Sequence, residues 1–315
     1  MVKKTPEVKK GSVVNDREHR NILGVKVDST STASVLRFVR SSILARKKFY
    51  IVTPNPEIVI EAKKDQKLKE ILNLADLSLP DGIGLAQAQK FLSLPSGPKA
   101  STGRWPNPKG NILRFLTLLV QGLAVGFLTI VDNQKITESL KIISGRKMFL
   151  ELIKLANRKK WRVFLLGGKG GEAAGTKSEL EKTYKAVVIK TQAGPMLNVE
   201  GEPISKKDEK TEKNVIEEIS NFNPHLLFVA FKFPRQEKWV YRWYKKLNIG
   251  GAMVVGGTFN YISGRTKLPP KWIEDKGLEW FWRLINDPQR GKRIFTAFPT
   301  FPLRVFWEKF TSRGV

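Results

Sequence analysis

The chain has 315 residues, of which 41% are hydrophobic, enough for one large domain or two modest domains with a packed core. It contains no cysteine and only two histidines, which excludes a disulfide framework and a cysteine-based metal site and disfavours a histidine-based metal site or a Ser-His-Asp triad. With 56 basic and 29 acidic residues its formal charge is +27, which attracts nucleic acid, anionic lipid or diphosphates without choosing among them.

The beginning of the chain is basic and lacks an apolar core. Residues 1–20 are therefore predicted to form a disordered tail and not a signal peptide. The pattern that follows predicts a strand at Asn21–Val27, a helix at Ser31–Ala45 and a strand at Lys48–Val52. Continuous helical periodicity then predicts one helix over Glu57–Leu72.

The most informative loop follows a short strand predicted at Ala75–Leu79, and its sequence is Pro80-Asp81-Gly82-Ile83-Gly84. Proline and glycine around Asp81 predict a tight turn at a strand end, which is where an open α/β sheet presents its chemistry. A carboxylate held there by the backbone can serve as a general base. The alternative is that Asp81 only caps the helix that begins near Gly82.

A long stretch from about residue 93 to about residue 142 begins with a Pro/Gly-rich basic loop and continues with Ile112–Val131, about twenty mainly apolar residues. Arg114, Thr117 and Gln121 fall on one stripe of this predicted helix. A single membrane span would separate Asp81 from the later motifs. We therefore expect a helix or re-entrant hairpin embedded in one leaflet. The alternative is a helix of the soluble core or of an oligomer interface.

A fully apolar strand at Val163–Leu166 enters a run of glycines at 167–171, and a helix starts near Glu172. Strand, glycine loop and helix predict an anion site in which backbone N–H groups around Gly168 point at a phosphate. The loose dinucleotide-binding pattern in this loop is too weak to imply NAD, because no acidic residue is placed at the next strand end.

A second buried strand, Leu226–Phe231, ends before Pro234, and a helix is predicted to begin there with Arg235, Gln236 and Lys238 in its first turn. Cations and N-terminal amides at this position suit a diphosphate. The alternative is an ordinary solvated helix start.

The last predicted strand, Ala252–Val255, runs into Gly256-Gly257, which permits close approach of the backbone to a ligand, and Gly264-Arg265 follow. From Lys267 onward aromatic and basic residues alternate, a composition that favours a membrane headgroup interface. The alternative is that these rings pack on the core.

Several separate motifs, in order, resemble the WecG/TagA/CpsF glycosyltransferase family. They are NILGVKVDS, TPNPEIV, LPDGIG, ISGRKMFLEL, RVFLLGGKGG, FNPHLLFVAFKFPRQEKW, GGTFNYISGR and GLEWFWRL. The resemblance runs from about Asn21 to about Phe306 and is interrupted by the stretch at about 93–142.

The resemblance implies a Rossmann-like α/β fold of the GT-E-like kind, with a parallel sheet and helices on both faces. Together with the composition, it divides the chain into a core at residues 21–266 with an insertion at about 93–142 that carries the apolar helix, and a basic aromatic appendage at residues 267–315 that is expected to associate with membrane. It implies an inverting, metal-independent enzyme without a cofactor. Such an enzyme moves an N-acetylmannosamine-type sugar from a UDP donor to a polyprenyl-diphosphate-linked acceptor at the cytoplasmic face of the membrane.

The resemblance also assigns roles to individual residues. It makes Asp81 the catalytic base, has Thr53 and Asn55 bind the sugar or orient the base, and has Gln236 contact donor or acceptor. The remaining expected substrate-binding residues are backbone positions, one amide and four cations: Gly82, Gly168, Gly257, Asn260, Arg265, Arg283, Arg290 and Arg293.

Three departures from the family pattern leave the base intact but put the sugar specificity in question. This chain has Ser144-Gly145-Arg146-Lys147 where many members have Thr-Gly-x-Asp, and Phe259-Asn260 where many have Phe-Asp. A turn that bears a histidine in the family is Thr191-Gln192-Ala193-Gly194 here.

The main hypothesis is thus a membrane-bound glycosyltransferase of cell-envelope polysaccharide synthesis, for which a homo-oligomer stays possible. One alternative is an altered family member that binds UDP-sugar or lipid without catalysis. The other is a basic nucleic-acid-binding α/β protein. No nucleic-acid-binding motif is present in the sequence, so nucleic acid is not the expected partner.

Overall fold

The computed structural model describes residues 16–96, 108–168, 170–271, 273, 282 and 291–312, with the side chains of all of these except 108–111 and 291–299. Residues 1–15 of the predicted N-terminal tail lie outside this range, as does much of the predicted appendage after Lys267.

The described chain alternates strands and helices. The strands are β1 Glu18–Ile22, β2 Val25–Ser29, β3 Phe49–Val52, β4 Leu77–Ser78, β5 Arg162–Gly167, β6 Val188–Gln192, β7 Leu226–Ala230 and β8 Gly251–Val254. The helices are α1 Thr32–Leu44, α2 Pro56–Ala62, α3 Gln66–Leu74, α4 Ile83–Ser93, α5 Pro108–Val131, α6 Asn133–Thr137, α7 Gly145–Lys159, α8 Glu172–Thr183, α9 Lys206–Phe222, α10 Arg235–Trp243, α11 Thr258–Ile262 and α12 Gly291–Thr311.

Strands β3 to β8 form one sheet of six parallel strands in the order β4-β3-β8-β7-β5-β6. Their apolar residues are buried on both faces, as expected of a parallel sheet covered by crossover helices. Helices α2, α3, α9 and α10 cover one face, and α1, α7, α8 and α11 cover the other. The structure confirms the predicted fold class, an α/β protein with a Rossmann-like parallel sheet and an apolar helix.

The N-terminal region differs from the single strand predicted at Asn21–Val27. The backbone turns at Leu23 and Gly24, whose φ values are +53° and +85°, and this turn produces the antiparallel hairpin of β1 and β2. Strand β1 starts at Glu18, inside the predicted tail. The buried carboxylate of Asp28 binds Arg17 and His19 and thereby holds the beginning of the hairpin.

The single helix predicted at Glu57–Leu72 is two helices, α2 and α3. The side chain of Asp65 accepts a hydrogen bond from the amide of Leu68 at 2.9 Å and caps α3. The same carboxylate lies 2.6 Å from the ammonium of Lys238 on α10. A side-chain cap that also pairs with a distant helix stabilises a break that the apolar periodicity alone does not reveal.

The apolar helix predicted at Ile112–Val131 is part of α5 and is long enough to cross a membrane, but only 17% of the apolar stretch is buried. It packs beside α4 and α12, and α12 also packs on α2. The low burial contradicts the alternative of a helix in the soluble core.

Candidate active site

The loops after β3 and β4 are joined by backbone hydrogen bonds at the carboxyl edge of the sheet. The amide of Leu79 donates to the carbonyl of Val52 at 2.9 Å, and the amide of Asp81 donates to the carbonyl of Pro54 at 2.8 Å. The carbonyl of Pro80 accepts from the amide of Ile143 at 3.0 Å. Hydrogen bonds among three chain segments thus fix the backbone around Asp81 independently of its side chain.

The residue after Asp81 bears on the alternative that Asp81 only caps α4. Gly82 has φ +95°, a backbone conformation that favours glycine, and Gly82 itself is the N-cap residue of α4. Asp81 therefore precedes the cap position and does not occupy it. Its side chain is half-buried at the edge where α/β sheets bind ligands.

The loop after β3 carries Thr53 and Asn55. The Oδ1 atom of Asn55 accepts a hydrogen bond from the amide of Ile58 at 2.9 Å, so Asn55 caps α2. Thr53 lies against the start of α7, because a Cβ atom at Gly145 would be 3.3 Å from the Oγ1 of Thr53. The resemblance did not imply either contact, and the expected sugar-binding roles of Thr53 and Asn55 stay predictions.

The first turn of α7 is strongly positive. It contains Arg146 and Lys147 and no acidic residue, although the amides at a helix start already favour negative charge. The guanidinium of Arg146 lies 5.4 Å from the ring centroid of Tyr261 on α11. No anion-binding role was predicted for this segment, which belongs to a motif of the resemblance and departs from the family pattern at Arg146 and Lys147. Two cations directly after a predicted helix start are the signal that indicates an anion-attracting position.

Gln236 joins the loops after β7 and β8. Only 3% of the residue is exposed. Its Oε1 accepts from the amide of Gly256 at 3.1 Å, and its Nε2 donates to the Oε1 of Glu237 at 2.9 Å. Gln236 therefore holds the glycine turn of β8, and its predicted contact with donor or acceptor stays a prediction.

Glu237 is a buried carboxyl group next to this amide. Burial raises its pKa from 4.5 to about 7, and the hydrogen bond from Gln236 opposes the rise. The Oε2 atom has no hydrogen-bond partner among the described residues. The folded protein therefore keeps a proton on Glu237 up to neutral pH.

The glycine loop after β5 holds a carboxylate from its own helix. The amide of Gly170 donates to the Oε2 of Glu172 at 2.7 Å, and Gly168 lies so close to Glu172 that a Cβ atom there would be 2.8 Å from the Cβ of Glu172. Arg265 lies across this loop, binds the carbonyl of Gly170 and is 3.5 Å from the carboxylate of Glu172. These contacts connect the loop after β5 to the segment after α11.

The other expected site residues are placed only in part. Gly257 is exposed at the end of β8, and Asn260 follows on α11, where its carbonyl accepts from the amide of Thr266 at 3.0 Å. Arg283 and Arg290 lie outside the described residues, and only the backbone of Arg293, on α12, is described.

Lys238, in the first turn of α10, is not exposed to solvent, as the alternative of an ordinary solvated helix start would require. It is 2.6 Å from Asp65 and 3.0 Å from Glu200, and it is buried. Burial lowers the pKa of Lys238, but the hydrogen bonds with both carboxylates outweigh this effect and raise it above the ordinary value. Lys238 therefore joins α10 to α3 and to the loop before α9, and its charge is already neutralised.

The model of the family described as "Glycosyl transferase WecG/TagA/CpsF family" matches residues 20–103 and 128–314. Relatives include three proteins named N-acetylglucosaminyldiphosphoundecaprenol N-acetyl-beta-D-mannosaminyltransferase. That of Bacillus subtilis strain 168 is 27% identical over 82% of this chain and 79% of its own length. That of Bacillus spizizenii is 24% identical over 86% and 84%. That of Staphylococcus aureus strain MW2 is 23% identical over 90% and 91%.

The buried carboxyl of Glu237 predicts a specific pH dependence of stability. Between about pH 4.5 and pH 7 the unfolded chain releases this proton while the folded chain keeps it, so stability falls as pH rises. The difference is on the order of 3 kcal/mol at pH 8. Glu237→Gln removes the ionisation, so its free energy of unfolding relative to wild type is expected to increase from pH 5 to pH 8.

Urea unfolding at these two pH values measures the effect, with Glu217→Gln on the exposed face of α9 as the matched control. The control is expected to follow the wild type. A Glu237→Gln protein whose stability changes with pH as much as that of the wild type contradicts the assignment.

Proposed function

Because the chain belongs to the WecG/TagA/CpsF family of glycosyltransferases, we propose that it transfers an N-acetylmannosamine-type sugar from a UDP donor to a polyprenyl-diphosphate-linked sugar. The single observation that carries the proposal is the backbone-held Asp81, with a glycine at φ +95° after it and the Thr53 loop tied beside it. The acceptor and the sugar follow from the names of the three relatives.

In the proposed reaction an acceptor hydroxyl attacks the anomeric carbon from the face opposite UDP. The new bond to the acceptor oxygen forms while the bond from carbon to the diphosphate oxygen breaks, and this inverts the configuration. The carboxylate of Asp81 takes the proton of the attacking hydroxyl. The transition state resembles an oxocarbenium ion, and the bonding electrons leave with UDP.

The leaving diphosphate gains negative charge, which protein cations and amides are proposed to stabilise without a metal ion. The positive first turn of α7 supports this, because it lies against Thr53 in the loop that is tied to Asp81. Arg265, Arg283, Arg290 and Arg293 are proposed as further cations for a diphosphate. For Arg265 this requires exchange of Glu172 for the ligand.

Other residues are proposed to position the substrates. Thr53 and Asn55 bind the sugar or orient Asp81, and Gln236 orients the turn that contains Gly256 and Gly257. The backbone at Gly82 and Gly168 and the side chain of Asn260 complete the proposed binding surface.

We place this activity at the cytoplasmic face of the cell membrane, in the synthesis of a cell-envelope polysaccharide. The relatives act, by name, on an undecaprenol-linked sugar, and undecaprenol is a membrane lipid. The formal charge of +27 favours contact with an anionic membrane surface.

A donor screen tests the reaction directly. Purified protein is incubated with UDP-N-acetylmannosamine, UDP-N-acetylglucosamine or UDP-glucose and a lipid-diphosphate-N-acetylglucosamine analogue, and the product is identified by mass spectrometry. Transfer is expected from UDP-N-acetylmannosamine. Transfer only from another donor contradicts the proposed sugar, and no transfer from any donor contradicts the reaction.

Asp81→Asn is expected to lower turnover by about 10² to 10⁴-fold, because a general base contributes about that much. The fold and UDP binding are expected to stay nearly unchanged. Glu70→Gln, on the exposed face of α3, removes a carboxylate elsewhere and serves as control. Turnover of Asp81→Asn above about a third of the wild-type value, far outside that range, contradicts the assignment.

Transfer is expected to continue in the presence of EDTA. Among residues 16–96, 108–168 and the other described positions, no group of three or more His, Asp or Glu side chains is arranged to hold a metal ion. The measurement is turnover with and without EDTA. Loss of activity that is restored by Mg²⁺ or Mn²⁺ contradicts the proposed metal-independent mechanism.

A further inference from the structure

Helix α5 is apolar on its outward side and mixed on its inward side, where Leu118 and Val125 are buried beside polar residues. A surface helix normally directs its apolar stripe to the core and its polar residues to water. In α5 the residues turned towards the protein include Arg114, Gln121 and Thr129, whereas Val120 and Leu123 are 64% and 67% exposed.

Three inward polar side chains of α5, those of Arg114, Gln121 and Thr129, each bond to another part of the described protein, although the Nε of Arg114 is buried without a partner there. The guanidinium of Arg114 donates to the carbonyls of Lys309 and Ser312, at 2.9 and 2.8 Å, where α12 ends. Gln121 donates to the carbonyl of Pro95 at 2.9 Å, and its Oε1 accepts from the ammonium of Lys309 at 3.1 Å.

At the other end of α5, the hydroxyl of Thr129 accepts from the Nε2 of Gln87 on α4 at 2.9 Å. A Cβ atom at Gly122 would lie 3.8 Å from the ring of Phe91, near the end of α4. The helix is thus fixed to the domain by directed bonds along about four turns.

The outward side chains cover about half of the helix circumference when they are placed at 3.6 residues per turn. This is wider than the narrow stripe with which a single partner helix packs in a coiled coil. Lipid chains can surround an apolar arc of this width, whereas a single packed helix would cover only part of it. The most exposed large side chains include Leu116, Val120, Leu123, Phe127 and Ile130.

The apolar surface continues onto α12. The ring of Phe115 contacts those of Phe306 and Phe310 at centroid distances of 5.4 and 6.1 Å, and the ring of Trp307 is 5.6 Å from that of Phe310. Trp307 and Leu303 are exposed on this helix, with Arg304 beside them. Exposed tryptophan and arginine next to an apolar surface are typical of a membrane interface.

We propose that the outward face of α5 is embedded in the hydrocarbon of one membrane leaflet, with the helix axis parallel to the membrane plane. The occupant of this face is lipid acyl chain. Residues 104–127, which contain most of this face, are not matched by the family model. The embedded face is therefore proposed as an addition of this chain to the family fold.

The contacts of α5 exclude a span across the bilayer. Arg114 near one end and Thr129 near the other are both bonded to the folded domain. If α5 crossed the hydrocarbon, the surface of the domain beside it would also have to enter. A helix that lies at the interface buries its apolar face by about 5 to 10 Å and leaves the domain in water.

This orientation has a consequence for the active site, which rests on the proposed function. Gln87, which bonds α5, is four residues from the start of α4 at Ile83, or about 6 Å along the helix, and Asp81 lies two residues before that start. The embedded helix thus holds Asp81 close to the headgroup layer, where the diphosphate of a polyprenyl-linked acceptor lies. The diphosphate can then reach the base while its lipid tail stays in the membrane.

Flotation of the full chain with vesicles tests the proposal without any measurement of sugar transfer. Neutral phosphatidylcholine vesicles in about 1 M NaCl remove the contribution of the net charge, because salt at that concentration screens charges beyond about 3 Å. The wild type is expected to float. The double variant Val120→Glu/Leu123→Glu is expected to lose at least about tenfold of the vesicle-bound fraction, because two embedded apolar side chains become charged.

The matched control is Leu44→Glu/Leu74→Glu, at leucines that are 72% and 61% exposed but lie on α1 and α3. It is expected to float like the wild type, and circular dichroism verifies that both variants fold. Equal flotation of the α5 variant and the wild type overturns the proposal. A wild type that stays unbound but forms dimers that Val120→Glu/Leu123→Glu dissociates also overturns it and makes the face an interface between copies.

Because the chain contains no cysteine, a single introduced cysteine can be labelled selectively, which allows a second, independent measurement of how deeply α5 lies in the membrane. An environment-sensitive fluorophore on Leu123→Cys is expected to shift its emission to the blue when phosphatidylcholine vesicles are added, and the same label on Leu44→Cys is not. Identical spectra at the two positions overturn the proposal. Because neither readout involves the donor or Asp81, failure of the membrane proposal is distinguishable from failure of the proposed function.

Discussion

Because the six strands of the sheet run parallel, the loops that follow them all leave from one edge. This constraint brings together residues that are far apart in the sequence. The loop of Thr53 is bonded to that of Asp81, Gly145 lies against Thr53, and Arg146 lies over Tyr261. The chemistry proposed for this chain needs a base, a sugar site and cations within the length of one nucleotide sugar. The backbone geometry of the shared edge brings these loops close together.

Helix α4 connects this edge to the outer surface of the domain. It begins at the Asp81 loop and lies against α5 and α12. The ammonium of Lys309 contacts the carbonyl of Phe91 near the end of α4 and so fastens α12 to it. A displacement of α5 relative to the domain would therefore be carried along one short helix to Asp81, the proposed base. The buried carboxyl of Glu237 accepts a hydrogen bond from Gln236, and Gln236 in turn accepts from the amide of Gly256, so these two residues hold the turn after β8.

Much of the fold and one part of the site are predictable from the sequence, for reasons that differ by residue. The Asp81 loop is predictable because proline and glycine leave its backbone few conformations. The apolar runs of β5 and β7 predict a buried parallel sheet. The break between α2 and α3 is not predictable from periodicity, because Asp65 gains its second partner, Lys238, from a distant helix. Arg265 likewise reaches the glycine loop through a tertiary contact, whereas Glu172 binds the loop from two residues away. The sequence shows that the polar residues of α5 share one stripe, but only the packing shows that this stripe faces the protein.

That orientation of the polar stripe explains how an apolar helix stays in a fixed place when its apolar side chains are directed away from the domain. Helices in lipid gain no hydrophobic free energy by packing together, and polar side chains then hold them through directed hydrogen bonds. Arg114, Gln121 and Lys309 provide such bonds between α5 and α12. Directed bonds fix the rotation of a helix about its axis, which apolar contacts alone leave freer. If α5 lies in the membrane as proposed, its rotation sets the height of Asp81 above the lipid. In that orientation the hydrogen bonds on its inner side would position Asp81 relative to a membrane-bound acceptor.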